Sequence, residues 1–342
     1  MKYIPRVLPL LLLLAACQTR QKPAETTATP AAPGTIDSAL YAPDVAPLTD
    51  SIKMFPTASS LYYRRGLALF NTQPALALAD LEKATSLNPR IADFPAAAGE
   101  AAINNSLYPK AIGYFRQALH ISPNDYYLKY RLALALIENK QYTSADSAIT
   151  ELARDEHSRD KAGYLRARVA EEQKDTAMAI QYLTEAILAA GKNPQFDAVM
   201  ELGDLLSAQH NPKAISYYKQ AAQLDPTSGD PMMAAGDFYQ AQKNYAAAVE
   251  AYKQCILTDA EYTNAYFALG DIARLQGQWK QGVTYYSMAA RTHPTSADAY
   301  FLRGACEEKL GNSAAAKEDY RKALSFKKSF PEAQAALDRL HG

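Results

Sequence analysis

The sequence predicts an all-α solenoid of about eight helix-turn-helix repeats, closed at its C-terminal end by one more helix. Three observations carry this. A pattern of small and bulky residues returns every 34 residues across most of the 342-residue chain. Alanine and tyrosine are abundant, and the strict alternation of half-buried strands is scarce. Apolar residues make up 48% of the sequence, enough for a long core.

Taken in order, residues 1–17 read MKYIPRVLPLLLLLAAC. Lys2 and Arg6 form a positive start, and Val7 to Leu14 is an apolar run too short for a membrane span, which needs about 20 residues. The end of the run, Leu14-Ala15-Ala16-Cys17, resembles the lipobox of bacterial lipoproteins. Small side chains let a peptidase reach the bond before Cys17, whose thiol is the group there able to take a diacylglycerol. The resemblance implies a signal peptide over residues 1–16 and a mature chain beginning at lipidated Cys17. With Gln18 next, lipoprotein sorting rules imply the outer membrane. The plainer reading is an ordinary cleaved secretory signal in which Cys17 is incidental.

From residue 17 to about residue 47 the composition turns to Thr, Ala, Pro, Gln and Lys, with TTATPAAPGT at its centre. Little there can fill a core, so a disordered tether is expected, with a reach of roughly 30 Å. Leu48, Ile52 and Phe55 then fall at helical spacing, which predicts a short capping segment over residues 48–56.

The repeats run from about residue 57 to 328. The small residue of the first helix of each unit is Gly66, Gly99, Ala133, Ala167, Gly203, Gly236, Gly270 or Gly304. The second helices open on Ala77, Ala111, Ala145, Ala179, Ala214, Ala248, Gly282 and Ala316. Four residues on stand Leu81, Phe115, Ile149, Leu183, Tyr218, Tyr252, Tyr286 and Tyr320. Small residues let two helices approach closely, and a bulky residue four positions on stays on the same face. Pro89, Pro123, Pro226 and Pro294 close four of the units, where a helix cannot continue.

These residues resemble the tetratricopeptide repeat pattern. The resemblance implies a right-handed superhelical solenoid whose concave face is lined by the first helices and holds ligands. Phe330, Ala333, Leu337 and Leu340 lie on one helical face after the last unit, so residues 329–342 are expected to form a capping helix over its apolar end. That helix is also amphipathic enough to touch a partner.

Signals of chemistry are missing. Phosphate-cradling glycine loops and nucleophile elbows do not occur, and no histidines or cysteines stand at metal-ligand spacing. Cys255 and Cys306 are expected to be buried thiols. Acid pairs such as Glu171-Glu172 and Glu307-Glu308 read as solvated surface rather than a catalytic dyad. Lysine plus arginine equals aspartate plus glutamate, 36 each, with no basic stripe for nucleic acid. No enzyme activity, catalytic residue, cofactor or metal is expected.

What remains is the face that the resemblance assigns to ligands. Carried over by repeat phase, it holds Tyr130, Tyr164, Met200, Met233, Phe267 and Phe301, each three residues before the small one. Asp204, Asp237 and Asp271 follow the small residue directly, with Gln240 and Arg274 one turn later. Two readings stand: a groove for a peptide with apolar and basic side chains, or aspartates that are solvated or ion-paired beside half-buried packing residues. Asp230 and Asp298 read as caps and dipole partners. The acidic row suits a free C-terminal carboxylate poorly. The class resembled is that of lipid-anchored repeat scaffolds in the bacterial cell envelope, which bind protein or peptide partners. A second reading is glycan capture by an outer-membrane lipoprotein, for which the 23 tyrosines would stack on sugars. Against it, no long insertions break the repeats, and Trp279 shares its phase with Tyr108, Tyr142 and Tyr245.

Overall fold

The computed structural model describes residues 38–341. Cys17, the signal segment and most of the expected tether lie outside the described residues. After a helical turn at residues 38–40 comes α1 (Ala46–Met54). The first four helix pairs are α2 (Ser59–Leu69) with α3 (Pro74–Leu87), α4 (Asp93–Asn104) with α5 (Tyr108–Ile121), α6 (Tyr126–Glu138) with α7 (Tyr142–Ala153), and α8 (Arg159–Glu172) with α9 (Thr176–Ala190). The last four are α10 (Phe196–Ala208) with α11 (Ala214–Leu224), α12 (Asp230–Ala241) with α13 (Tyr245–Thr258), α14 (Thr263–Leu275) with α15 (Trp279–Thr292), and α16 (Ala297–Lys309) with α17 (Ser313–Phe326). Helix α18 (Pro331–His341) closes the array. The architecture is the expected solenoid of helical hairpins, with no strand among the described residues.

Each pair is held at its crossing by a size match. The bulky residue of the second helix is fully buried in every unit. It lies over the small residue of the first: an added Cβ would stand 2.7 Å from the Phe115 ring at Gly99 and 2.7 Å from the Tyr218 ring at Gly203. Units 3 and 4 have alanine at the small position, and the facing residues are then aliphatic, Ile149 and Leu183.

The turn inside each pair repeats as well. One residue in units 2 to 8 takes the left-handed conformation: Ser106, Lys140, Lys174, His210, Lys243, Gly277 and Gly311, with φ from +55° to +82°. The next residue bonds back into the first helix, as Leu107 N–H does to Ala102 C=O at 2.8 Å and Asn244 N–H to Tyr239 C=O at 2.9 Å. Such a cap satisfies end carbonyls and suits glycine best, yet five of the seven positions carry a side chain.

The end units carry ionic clamps. Arg65 Nε donates to Asp80 at 2.7 Å and its Nη1 to Thr49 Oγ1 of α1 at 3.1 Å. Seven units later Arg303 Nε donates to Asp319 at 2.8 Å and its Nη1 to Ser287 Oγ of α15 at 3.3 Å. Helix α1 therefore takes the place a preceding second helix would occupy. Its inward face is Val45, Thr49 and Ile52 rather than Leu48, Ile52 and Phe55. Phe55 is exposed, and the packed chain begins before the expected boundary at residue 47, since Leu40 and Ala42 join Val45 against Leu69 and Ala77. The cause is Pro47, which sits in the first turn of α1, where a missing N–H costs nothing. At the other end Phe330, Ala333, Ala336 and Leu337 of the closing segment are buried, and the Phe330 ring lies 4.9 Å from Phe301. Cys255 and Cys306 are free and buried.

Two outcomes follow from this packing. Gly203→Ala should lower stability by about 1–3 kcal/mol, because the added methyl meets a ring with no room to move. The loss of amide protection should concentrate in units 4 to 6, and an even loss along the chain would contradict quasi-linear stacking. Lys243→Gly should raise stability by up to about 1 kcal/mol in thermal unfolding, since it relieves a left-handed residue; a loss would show that the lysine side chain is needed there.

Candidate binding groove

Residues three before, one after and four after the small residue share one face of each first helix. Bonds between neighbouring first helices make these faces one surface. Tyr127 Oη of α6 donates to Glu100 of α4 at 2.9 Å, and Arg131 Nε donates to the same carboxylate at 2.5 Å. Arg168 of α8 donates to Glu138 of α6 at 3.2 Å. Tyr262 Oη, just ahead of α14, donates to Asp230 of α12 at 2.6 Å.

In units 5 to 8 the core and this surface are tied by one repeated bond. Tyr218 Oη donates to Asp204 at 2.8 Å, Tyr252 Oη to Asp237 at 2.7 Å, Tyr286 Oη to Asp271 at 2.6 Å and Tyr320 Oη to Glu308 at 2.7 Å. Tyr252 Oη also lies 3.0 Å from Gln240 Oε1. The four rings are fully buried, so each hydroxyl needs an acceptor at the groove edge. Burial, then the facing carboxylate, pushes these phenols well above their ordinary range. Asp204 and Asp237 keep an exposed edge while their inner oxygens are crowded. That crowding raises both carboxyls against the lowering effect of the tyrosine bond, and Asp237 and Glu171 raise Asp204 further.

The middle of the groove is acidic. The Glu201 carboxyl of α10 lies against that of Glu171 of α8, with Asp197 nearby. Burial first, then Glu171, pushes Glu201 well above the usual carboxylate range, only partly opposed by Arg168. Two side-chain polar atoms among the described residues are buried without a hydrogen-bond partner, Glu201 Oε2 and Arg274 Nε. Both belong to first helices.

The residues singled out from sequence divide accordingly. Tyr130, Met200, Met233 and Phe267 are half-buried along the groove, and Tyr164 is buried at its floor. Phe267 rests on the Tyr286 ring at 6.1 Å, while Phe301 is wedged between Tyr320 and Phe330 and belongs to the end cap. Arg274 pairs with Asp271 at 3.6 Å. The aspartate row is bonded to tyrosines, a partner the sequence reading did not name. Its signal was present, since tyrosine appears at the bulky position in the same unit where aspartate first follows the small residue. Asp230 is the first residue of α12 and accepts from Tyr262 rather than capping, and Ser296 caps α16 with Asp298 in its first turn. The acid pairs are only partly solvated surface: Glu171, Glu307 and Glu308 are half-buried, and Glu308 holds Arg339 of α18 at 2.9 Å as well as Tyr320.

Among the described residues, no group of three or more His, Cys, Asp or Glu is arranged to hold a metal ion. A model described as tetratricopeptide repeat matches residues 63–126, 200–258, 232–297 and 267–334, and a second of the same description matches 105–169. A comparison with curated proteins gave no match. Among solved structures, the C-terminal part of a TPR repeat-containing protein from Cytophaga hutchinsonii aligns with a TM-score of 0.57 and 16% identity, over 70% of this chain and 98% of that one. The MamA protein aligns at 0.44 with 22% identity, over 49% and 92% of the two chains. Human IFIT1, solved as a dimer with m7Gppp-AAAA, aligns at 0.45 with 17% identity, over 78% and 72%. At these identities the likeness concerns the fold.

The crowded Glu201 gives a pH effect of definite sign. A carboxyl raised in the folded state binds its proton more tightly there than in the unfolded chain, so its contribution is present in acid and lost as pH rises. Glu201→Gln should therefore unfold at a higher temperature than the parent above about pH 7, with the gap closing toward about pH 4. A gap that does not change with pH would show that the Glu201 carboxyl is not raised in the folded chain.

Proposed function

Because the chain belongs to the tetratricopeptide-repeat family, we propose that it is a non-catalytic adaptor that holds a protein or peptide partner along its first-helix face, tethered through lipidated Cys17 to the bacterial cell envelope, at the outer membrane. The observation that carries the binding reading is the groove itself: a continuous face of half-buried Tyr, Met and Phe side chains beside carboxylates fixed by tyrosine hydroxyls. Side chains held in place before binding lose little freedom on contact, which favours recognition. The anchoring reading rests on the sequence around Cys17. One lipid chain alone binds marginally, so two or more on Cys17 would hold the protein at the bilayer.

Two experiments test these parts separately. Cys17→Ser should release the protein from the membrane fraction; retention there would refute the anchor. A photo-cross-linking residue in place of Met233 or Gln240 should give a discrete adduct in intact cells. The same residue in place of exposed Leu188 or Leu257, on second helices, should give none. Adducts from the second-helix positions alone would move the binding surface to the opposite face.

A further inference from the structure

Charge is distributed unevenly along the groove. On either side of its middle, charged side chains of the first helices pair within the chain: Arg131 with Glu100, Arg168 with Glu138, Arg274 with Asp271, and Glu308 with Arg339 of the closing helix. Between these pairs lie α10 and α12, which carry Asp197, Glu201, Asp204, Asp230 and Asp237 and no lysine or arginine. The tyrosine hydroxyls occupy one oxygen of Asp204 and one of Asp237. Glu201 Oε2 is buried and accepts nothing. Met200 and Met233 stand half-buried among these carboxylates, flexible apolar surfaces that adapt to varied side chains.

We infer that units 4 to 6 of the groove take an extended peptide segment with lysine or arginine at about every third position and apolar residues between. The inference rests on the adaptor reading above and adds the chemistry of the ligand. The charge complement is direct: an ammonium or guanidinium group brings donors only, and the outer oxygens of Asp204 and Asp237, left over by the tyrosine bonds, are acceptors. The spacing follows from geometry. Neighbouring helices stand roughly 8–10 Å apart, and an extended chain advances about 3.3 Å per residue, so cations about three residues apart meet carboxylates on successive first helices. Anionic segments and nucleic acid are repelled from the same stretch.

The test measures fluorescence anisotropy of a labelled synthetic peptide of about twelve residues, with lysine at every third position and leucine or methionine between, against the full chain. A matched peptide has glutamine for each lysine. The lysine peptide should bind at least about tenfold more tightly than the glutamine peptide. The combined variant Glu171→Gln, Glu201→Gln, Asp204→Asn and Asp237→Asn should lose that preference. Each amide keeps an acceptor for its tyrosine or neighbour, and thermal unfolding of the variant confirms that it is folded. A control variant, Glu185→Gln with Glu250→Gln and Glu318→Gln on second helices, should bind like the parent. Equal loss in the control would reduce the effect to general attraction and overturn the inference, as would unchanged binding by the groove variant. If the glutamine peptide binds as well as the lysine peptide, and Met200→Ala with Met233→Ala weakens both, the groove reading stands and the cationic ligand falls. If neither peptide binds the groove, both fall.

Discussion

Each unit of this solenoid depends on a small residue meeting a bulky one where its two helices cross. A glycine on the first helix admits an aromatic ring or a leucine from the second, and an alanine admits only an aliphatic side chain. In units 5 to 8 a tyrosine ring of the second helix fills the space that a glycine of the first leaves open. Interiors packed to crystal-like density leave no room for an added methyl against those rings. Because this match recurs at the same position of every unit, units stack in one phase, and the first helices fall side by side to make a single face. The groove is thus a by-product of core packing, and its geometry is as fixed as the core.

Tyrosine extends that dependence to the chemistry of the groove. In units 2 and 3 the crossing is filled by Phe115 and Ile149, which make no polar demand. From unit 5 onward it is filled by tyrosine, whose ring belongs to the core and whose hydroxyl emerges at the groove edge. A buried hydroxyl without an acceptor costs more than its bond returns when made, so a carboxylate must stand within reach. Position +1 supplies it as Asp204, Asp237 and Asp271. Unit 8 has Ala305 at that position, and Glu308 reaches the hydroxyl from one turn further on. The acidity of the groove in the second half of the chain therefore begins as a requirement of the core.

The period, the helix pairs and the end cap could be read from the sequence because they depend on spacing within one helix or between equivalent positions of successive units. The bond from Tyr218 to Asp204 also recurs with the repeat, so its signal stood in the sequence as tyrosine and aspartate arriving in the same unit. What could not be read are contacts that occur once, between helices that no period relates. The contact of Glu201 with Glu171 joins first helices of neighbouring units, so Glu171 reads from sequence as a surface acid and Glu201 gives no signal. Asp230 was misread because Asp-Pro at a helix start is the usual sign of a cap, while its real partner, Tyr262, comes 32 residues later. Helix α1 was placed out of register because Pro47 looked like the end of a tether and is in fact inside the first turn.

The clamps in units 1 and 8 have a further consequence. Arg65 with Asp80 and Arg303 with Asp319 are nearly buried pairs, each also tied to a hydroxyl on the preceding helix. The equivalent positions of units 2, 3, 5, 6 and 7, at Ala98, Leu132, Leu202, Ala235 and Leu269, are apolar, and Arg166 of unit 4 has Tyr182 where the clamps have their aspartate. The ends of the array are therefore marked by side chains that the interior does not need. Genetic duplication or loss of one 34-residue unit between the clamps would leave both terminators intact. The length of the face, and so the length of the segment it can read, is free to change in whole units over evolution while the ends stay the same.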